Sequence, residues 1–209
     1  MTVRPPAIVQ GRYGCLIVAM SYTLETRIWF TRWDKNMAAP VTLVLGGAAS
    51  GKSAFAENAI LSAGGRPYYI ATAQAFDAEM TEKIARHVER RGARWTTREA
   101  PTDLSGALRQ VNADHAVLID CLTLWLTNLM LAEQDVDAAT TDLMKALDHC
   151  PAPVWLVSNE VGSGIVPDTA LGRRFREAQG RLNIVMAARA DRVVQVVAGL
   201  PNVLKGTLA

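Results

Sequence analysis

Val41-Thr42-Leu43-Val44-Leu45 runs directly into Gly46-Gly47-Ala48-Ala49-Ser50-Gly51-Lys52-Ser53. The second stretch fits the phosphate-loop pattern of Gly, four residues, then Gly-Lys-Ser. Its context fits too, because an apolar strand enters it and a helical pattern leaves it. The small residues let backbone N–H groups close around a polyphosphate. Lys52 can reach the terminal phosphates, and Ser53 offers its hydroxyl to Mg²⁺. The helix that follows adds the positive end of its dipole. Nucleotide binding is therefore the expectation. A plain glycine turn explains the glycines but not Lys-Ser at a helix start.

Working outward, residues 54–63 read as a helix closed by Gly64-Gly65. Residues 66–71 form a second strand, 77–91 a charged helix with Asp77 as N-cap, and 94–97 a short third strand. A further helix starts at Thr102 or Asp103, with Leu104, Leu108 and Val111 on one face. Residues 116–120 form an apolar strand ending in Asp120. Helical patterns follow at 122–132 and 137–150, then a strand at 154–158 and a glycine-rich loop at 160–167. In the helix over 168–190, Leu171, Phe175, Ala178, Leu182 and Val185 or Met186 share one stripe. Residues 193–197 read as the last strand. Strands alternating with helices predict an α/β fold, a mainly parallel sheet covered by helices. Its strands are expected to be apolar throughout, since both sheet faces are buried.

The 209 residues, 50% of them hydrophobic, suit one such domain. A formal net charge of +2, evenly spread, argues against a nucleic-acid surface. Cys15, Cys121 and Cys150 show no metal or CxxC spacing, and so sparse a set points to a reducing cytosol. No apolar run has membrane-spanning length, and residues 15–20 are too brief for a signal peptide. A cytoplasmic protein without a membrane partner is expected. Residues 1–36 carry Trp29 and Trp33 without any period, and Met37-Ala38-Ala39-Pro40 leads straight into the first strand. We expect 1–36 to be a non-native or disordered extension and 37–209 to be the phosphate-loop domain. An arm that packs on a neighbour is the alternative.

Three further places carry chemistry. Asp120 ends its strand where a phosphate-loop protein puts the acid that holds Mg²⁺ through water; it can equally cap the helix that follows. His87 has Lys83 four residues before it and Arg90 and Arg91 three and four after, so on a helix these cations share its face. Such a face suits a triphosphate and favours the neutral imidazole, the form that can attack phosphorus. From spacing alone, a solvated helix of mixed charge is the simpler reading. The loop containing Asn159, Glu160, Gly162 and Gly164 leaves the C-terminal end of a strand, the edge at which open α/β sheets bind ligands. Asn159 and Glu160 can hydrogen-bond a polar substrate, while the glycines permit close backbone packing. The alternative is a structural loop turning into the next helix. His115 and His149 lie at element ends and have no expected chemical role.

Taken in order, several stretches carry a resemblance. They are residues 46–53, Tyr69-Ile70-Ala71-Thr72-Ala73, Asp77-Ala78-Glu79-Met80, Arg86-His87 with Arg90-Arg91, and Trp95-Thr96-Thr97-Arg98-Glu99. Further on come Asp120-Cys121-Leu122-Thr123 with Thr127-Asn128-Leu129, the run from Asn159 to Pro167, Gly180-Arg181-Leu182-Asn183, Ala190-Asp191 and Leu204-Lys205-Gly206. Together they resemble the bifunctional adenosylcobinamide kinase and adenosylcobinamide-phosphate guanylyltransferase family of cobalamin biosynthesis. The resemblance implies a single RecA-like phosphate-loop domain that forms a homotrimer. It implies phosphorylation of the aminopropanol hydroxyl of adenosylcobinamide with ATP or GTP. GMP is then transferred from GTP to that phosphate through a guanylylated histidine, at the position of His87. Implied GTP contacts are Ala71, Thr72, Ala73, Val88, Glu89, Arg90, Arg91, Glu99 and Asp120. This displaces the solvated-helix reading of the His87 segment.

The chain departs from the family at Ala49, where an Arg is usual. That change implies weaker nucleotide affinity or a shifted choice between ATP and GTP. Ile184 stands where Gln is common, with no assigned role. Two other readings compete. One is a kinase of a different small alcohol, without guanylyl transfer. The other is a nucleotide switch, for which Asp103-Leu104-Ser105-Gly106 fits Asp-x-x-Gly. That stretch lies at a helix start instead of after the Asp120 strand, no Asn-Lys-x-Asp motif occurs, and a switch has no need of His87 among cations.

Overall fold

The apolar runs become strands wherever a neighbour can cover both of their faces. A computed structural model describes residues 39–74, 82, 85, 89 and 92–208. In chain order the elements are β1 (Val41–Gly46), α1 (Lys52–Ala63), β2 (Arg66–Ala71), β3 (Thr96–Glu99), α2 (Leu104–Leu108), β4 (His115–Asp120), α3 (Leu122–Leu131), α4 (Val136–His149), β5 (Val154–Asn159), α5 (Ala170–Arg189), β6 (Arg192–Val197) and β7 (Leu200–Lys205). The strands form one sheet in the order β3-β2-β4-β5-β1-β6-β7. Every pairing is parallel except β6 with β7. This is the mainly parallel, helix-covered sheet that the alternation predicted.

Side chains alternate across the pleat, so each central strand feeds two cores. On one face Leu43, Ile70, Val117, Ile119 and Leu156 pack with the buried sides of α2, α3, α4 and α5. On the other, Val44, Tyr69, Leu118, Trp155 and Val194 pack against Ala56, Ala59 and Ile60 of α1. Helix starts follow local chemistry. Asp135 caps α4 by accepting from the Asp137 and Ala138 amides, and Thr169 caps α5 by accepting from Gly172. Among the described residues no helix is long and apolar enough to cross a membrane.

The structure corrects four readings. Residues 193–197 do not form the last strand, because β7 returns antiparallel through the two-residue turn Ala198-Gly199. Pro201 weakens the sequence signal for β7, yet proline is tolerated on an edge strand. Both turn residues have positive φ, 51° and 79°, as a tight hairpin of this hand requires. The third strand begins at Thr96 and not at 94: Gly92–Arg94 form a 3-10 turn, and Trp95 is buried edge-on against Tyr69. The strands are not apolar throughout, since β3 and β7, the two edges of the sheet, are exposed along their length. On α5 the stripe omits Leu171, which is 55% exposed, and takes Met186 in preference to Val185. The helix starts at Ala170, two residues later than expected, and Leu171 lies in its exposed first turn.

Candidate active site

β1 ends in the phosphate loop, and backbone geometry sets the loop's shape. Gly51, which precedes α1, has φ 92°, and Ala49 has φ 54°, so two loop residues sit in the left-handed region. A Cβ on Gly46 would come within 2.7 Å of the Val196 carbonyl oxygen and 2.4 Å of Ser50 Oγ, which leaves room only for glycine. The hairpin turn supports the loop from outside, with Gly199 N donating to Ser50 O at 2.8 Å. Lys52 opens α1, and its ammonium donates to Gly47 O at 3.0 Å across the loop. Ser53 is half-buried in the same first turn. No side chain caps α1, so its first amides face the loop.

Three other expected residues fall in one row. Parallel register sets Glu99 beside Ala71 and Ala71 beside Asp120, across the ends of β3, β2 and β4. Asp120 Oδ2 accepts from the Tyr69 hydroxyl at 3.2 Å. Burial first, then the Asp120 carboxylate, pushes the Cys121 thiol up to about 11, while the Lys52 ammonium pulls it down. The phosphate loop and Asp120 follow the C-terminal ends of β1 and β4, both parallel to β5, so they share one edge of the sheet.

The loop after β5 is pre-formed. Asn159 pairs with Gly46 in register, and Glu160 N donates to Gly46 O at 3.1 Å, so this loop starts beside the phosphate loop. Glu160 accepts from Gly162 N at 2.6 Å and Ser163 N at 3.2 Å. Burial works against the Glu160 carboxylate, but hydrogen bonds from Ser163 and Gly162 and the Arg176 charge outweigh it and hold its pKa below the usual value. Arg176 also donates to Gly162 O. A Cβ on Gly162 would meet Glu160 Oε1 at 2.7 Å, so glycine permits this turn, whereas one on Gly164 would only touch Val161 O at 3.8 Å. Asn159 Oδ1 and Ser50 Oγ are buried without a partner among the described residues.

The family model for cobinamide kinase / cobinamide phosphate guanyltransferase, CobU, matches residues 42–204. The bifunctional adenosylcobalamin biosynthesis protein CobP of Pseudomonas aeruginosa is 47% identical over 167 residues, which cover 78% of this chain and 96% of that protein. The chain belongs to the cobinamide kinase / cobinamide phosphate guanyltransferase family. The corresponding CobU protein of Salmonella typhimurium is 40% identical over 174 residues, 76% of this chain and 96% of that one. Among solved structures, the flagellar accessory protein FlaH from Methanocaldococcus jannaschii is similar with a TM-score of 0.49 and 10% identity, covering 81% of this chain and 79% of that one. As a member of the family, the chain is an enzyme of cobalamin biosynthesis that unites kinase and guanylyltransferase activities.

Within this family member the remaining expected residues fall into two groups. His87, Val88, Arg90, Arg91 and Lys83 lie outside the described residues, while Glu89 is helical and exposed, as are Glu82 and Ala85. Thr72 and Ala73 follow β2 directly. Thr72 is wholly buried, and its hydroxyl is committed to Cys121, donating to the carbonyl at 2.8 Å and accepting from the amide at 2.7 Å. The sequence reading missed the side chains that tie the strand ends together. Asn128 donates to Thr72 O and Pro101 O, and Thr123 Oγ1 accepts from Asn159 N at 2.8 Å. Between β5 and α5, Gln179 donates to Ser158 Oγ and to Asn183 Oδ1, each at 3.0 Å, and Asn183 donates to Asn159 O at 3.0 Å. Thr72, Thr123, Asn128, Asn159 and Asn183 fall in the stretches that carry the resemblance, but as isolated polar residues they do not reveal their partners.

Proposed function

We propose that this enzyme phosphorylates adenosylcobinamide with ATP or GTP at the phosphate loop and then transfers GMP from GTP through a guanylylated His87. The observation that carries the first step is the placement of Lys52, beside the loop carbonyl of Gly47, at the sheet edge where Asp120 ends β4. Phosphoryl transfer depends on positioning and charge neutralisation. The loop amides of residues 46–51 cradle the β- and γ-phosphates, and Lys52 neutralises charge as the γ-phosphoryl moves to the cobinamide hydroxyl. Asn159 Oδ1, a buried acceptor with no partner among the described residues, and the Glu160 loop are the groups that hold the corrinoid.

The residues also fit Mg²⁺. Ser53 offers a hydroxyl and Asp120 a carboxylate, the hard oxygen donors that the ion prefers. Mg²⁺ is held by one or two carboxylates with substrate phosphates and water. Bound there, the ion would neutralise charge on the phosphate oxygens.

In the second step, neutral His87 attacks the α-phosphorus of GTP, the bond to the β-phosphate oxygen breaks, and pyrophosphate leaves. The cobinamide phosphate then attacks the phosphoramidate, the P–N bond breaks, and His87 is free again. The covalent step avoids bringing two anionic phosphates together directly. Lys83, Arg90 and Arg91 stabilise the charge that develops. Ala71, Ala73, Glu99, Val88 and Glu89 complete the contacts with GTP; Thr72 contributes through backbone position, its hydroxyl being committed elsewhere. The working unit in this reading is a cytoplasmic homotrimer.

The test uses GTP labelled at the α-phosphate. One acid-labile, base-stable label per chain is expected, absent in His87→Ala, with ATP-driven phosphorylation of adenosylcobinamide largely retained. An adduct that is stable in acid, or one that persists in His87→Ala, rejects the covalent histidine.

A further inference from the structure

The ends of β2 and β3 are joined by a buried side chain with no part in the reaction just described. Asn128, in the second turn of α3, is 4% exposed. Its Nδ2 donates to Thr72 O at 2.8 Å and to Pro101 O at 2.9 Å. Thr72 directly follows Ala71, and Pro101 lies two residues beyond Glu99. One amide thus fixes the spacing between the two strand ends that carry Ala71, Ala73 and Glu99. The Cys121 backbone, directly after Asp120, has its own tie to the Thr72 hydroxyl, so Asp120 is restrained without Asn128. Packing of α3 does not depend on Asn128, because Leu122, Trp125, Leu126 and Leu129 bury the helix. The phosphate loop is tied down separately, through Gly199 N to Ser50 O and Glu160 N to Gly46 O.

We propose that Asn128 is a positioning residue for guanylyl transfer, holding the β2 and β3 ends at the separation that GTP requires. The proposal rests on the reading above that Ala71, Ala73 and Glu99 contact GTP. Because the phosphate loop has its own restraints, loss of Asn128 separates the two half-activities. Both carbonyls would lose a donor, and the strand ends would move apart.

The test compares full-length Asn128→Ala and Asn128→Asp with the parent in two assays and in thermal unfolding. The assays are ATP-driven phosphorylation of adenosylcobinamide, and GMP transfer from GTP to adenosylcobinamide phosphate. In Asn128→Ala the KM for GTP in the transfer is expected to rise about tenfold, the scale of one or two lost buried hydrogen bonds, while kinase kcat stays within about twofold. Asn128→Asp keeps the shape, and its carboxyl donates only when protonated. Its transfer defect is therefore expected to shrink as the assay is moved to lower pH, and this variant carries the test if Asn128→Ala does not fold. An unchanged KM for GTP, or kinase and transferase falling in parallel, overturns the proposal. Glu99→Ala, run alongside, separates the two levels. A normal KM for GTP in that variant overturns the underlying reading and the proposal together. A raised KM for GTP in Glu99→Ala, with a normal KM in the Asn128 variants, overturns the proposal alone.

Discussion

At the end of β1 the sheet edge is shaped by backbone and glycine, whereas at the ends of β2, β3 and β4 it is shaped by side chains. Gly46 admits no Cβ, Gly51 takes φ 92°, and the loop is braced by a backbone bond from Gly199. Next to it, Thr72, Asn128 and Thr123 make the ties, reaching 49, 56 and 36 residues along the chain. The difference teaches where tolerance lies. The loop must surround phosphate oxygens from several directions, which backbone amides do at no side-chain entropy cost. The neighbouring strand ends only have to be held at fixed spacings, and any well-placed donor can do that.

Lys52 breaks the comparison most severely, because it acts through its side chain in a loop otherwise shaped by backbone. Lys52→Ala is expected to lower kinase turnover by orders of magnitude while the unfolding midpoint stays close to the parent's, since the ammonium lies at the exposed loop mouth. Normal phosphorylation of adenosylcobinamide by that variant would remove the loop from the kinase step.

Gly46→Ala probes the backbone half. The added methyl would meet the Val196 carbonyl, which is fixed in β6, as well as the Ser50 hydroxyl. A loss of about 1–3 kcal/mol in urea unfolding is expected, the range for overpacking, together with weaker nucleotide binding. If stability and binding are both unchanged, the loop does not depend on backbone closure.

The same difference explains what the sequence could disclose. A loop built from glycine and backbone needs particular residues at consecutive positions, so it reads as a motif, and the strand–loop–helix order around it fixed the fold class. The Asp120 strand was legible for a similar reason, as an apolar run ending in an acid. Asn128 looks like one polar residue in an apolar helix; nothing within its own turn shows that Thr72 and Pro101 are its partners. β7 was missed because an edge strand tolerates Pro201 and exposure along its whole length, so the apolar signature of a central strand is absent. The His87 segment stood out only through the resemblance, since spacing alone did not separate its cations from an ordinary solvated face.

The smallest effect sharpens the contrast by pH. Glu160 is a side-chain brace beside the phosphate loop: its carboxylate orders the loop after β5 by accepting from Gly162 and Ser163, and its pKa lies below the ordinary value of 4.5. Because the folded value is lowered, the unfolded chain binds more protons between the two values, so the stabilising contribution is present above the ordinary value and is lost as pH falls through the folded one. Glu160→Gln should therefore be slightly less stable than the parent near neutral pH, with the gap closing on acidification below the ordinary value. The group is largely open to solvent, so the gap should be small. Gly46→Ala removes no titrating group, and its deficit should hold constant across the same range. A Glu160→Gln gap that widens in acid would contradict the hydrogen-bonded carboxylate, and a Gly46→Ala deficit that follows pH would mean the two halves of the edge are not held independently.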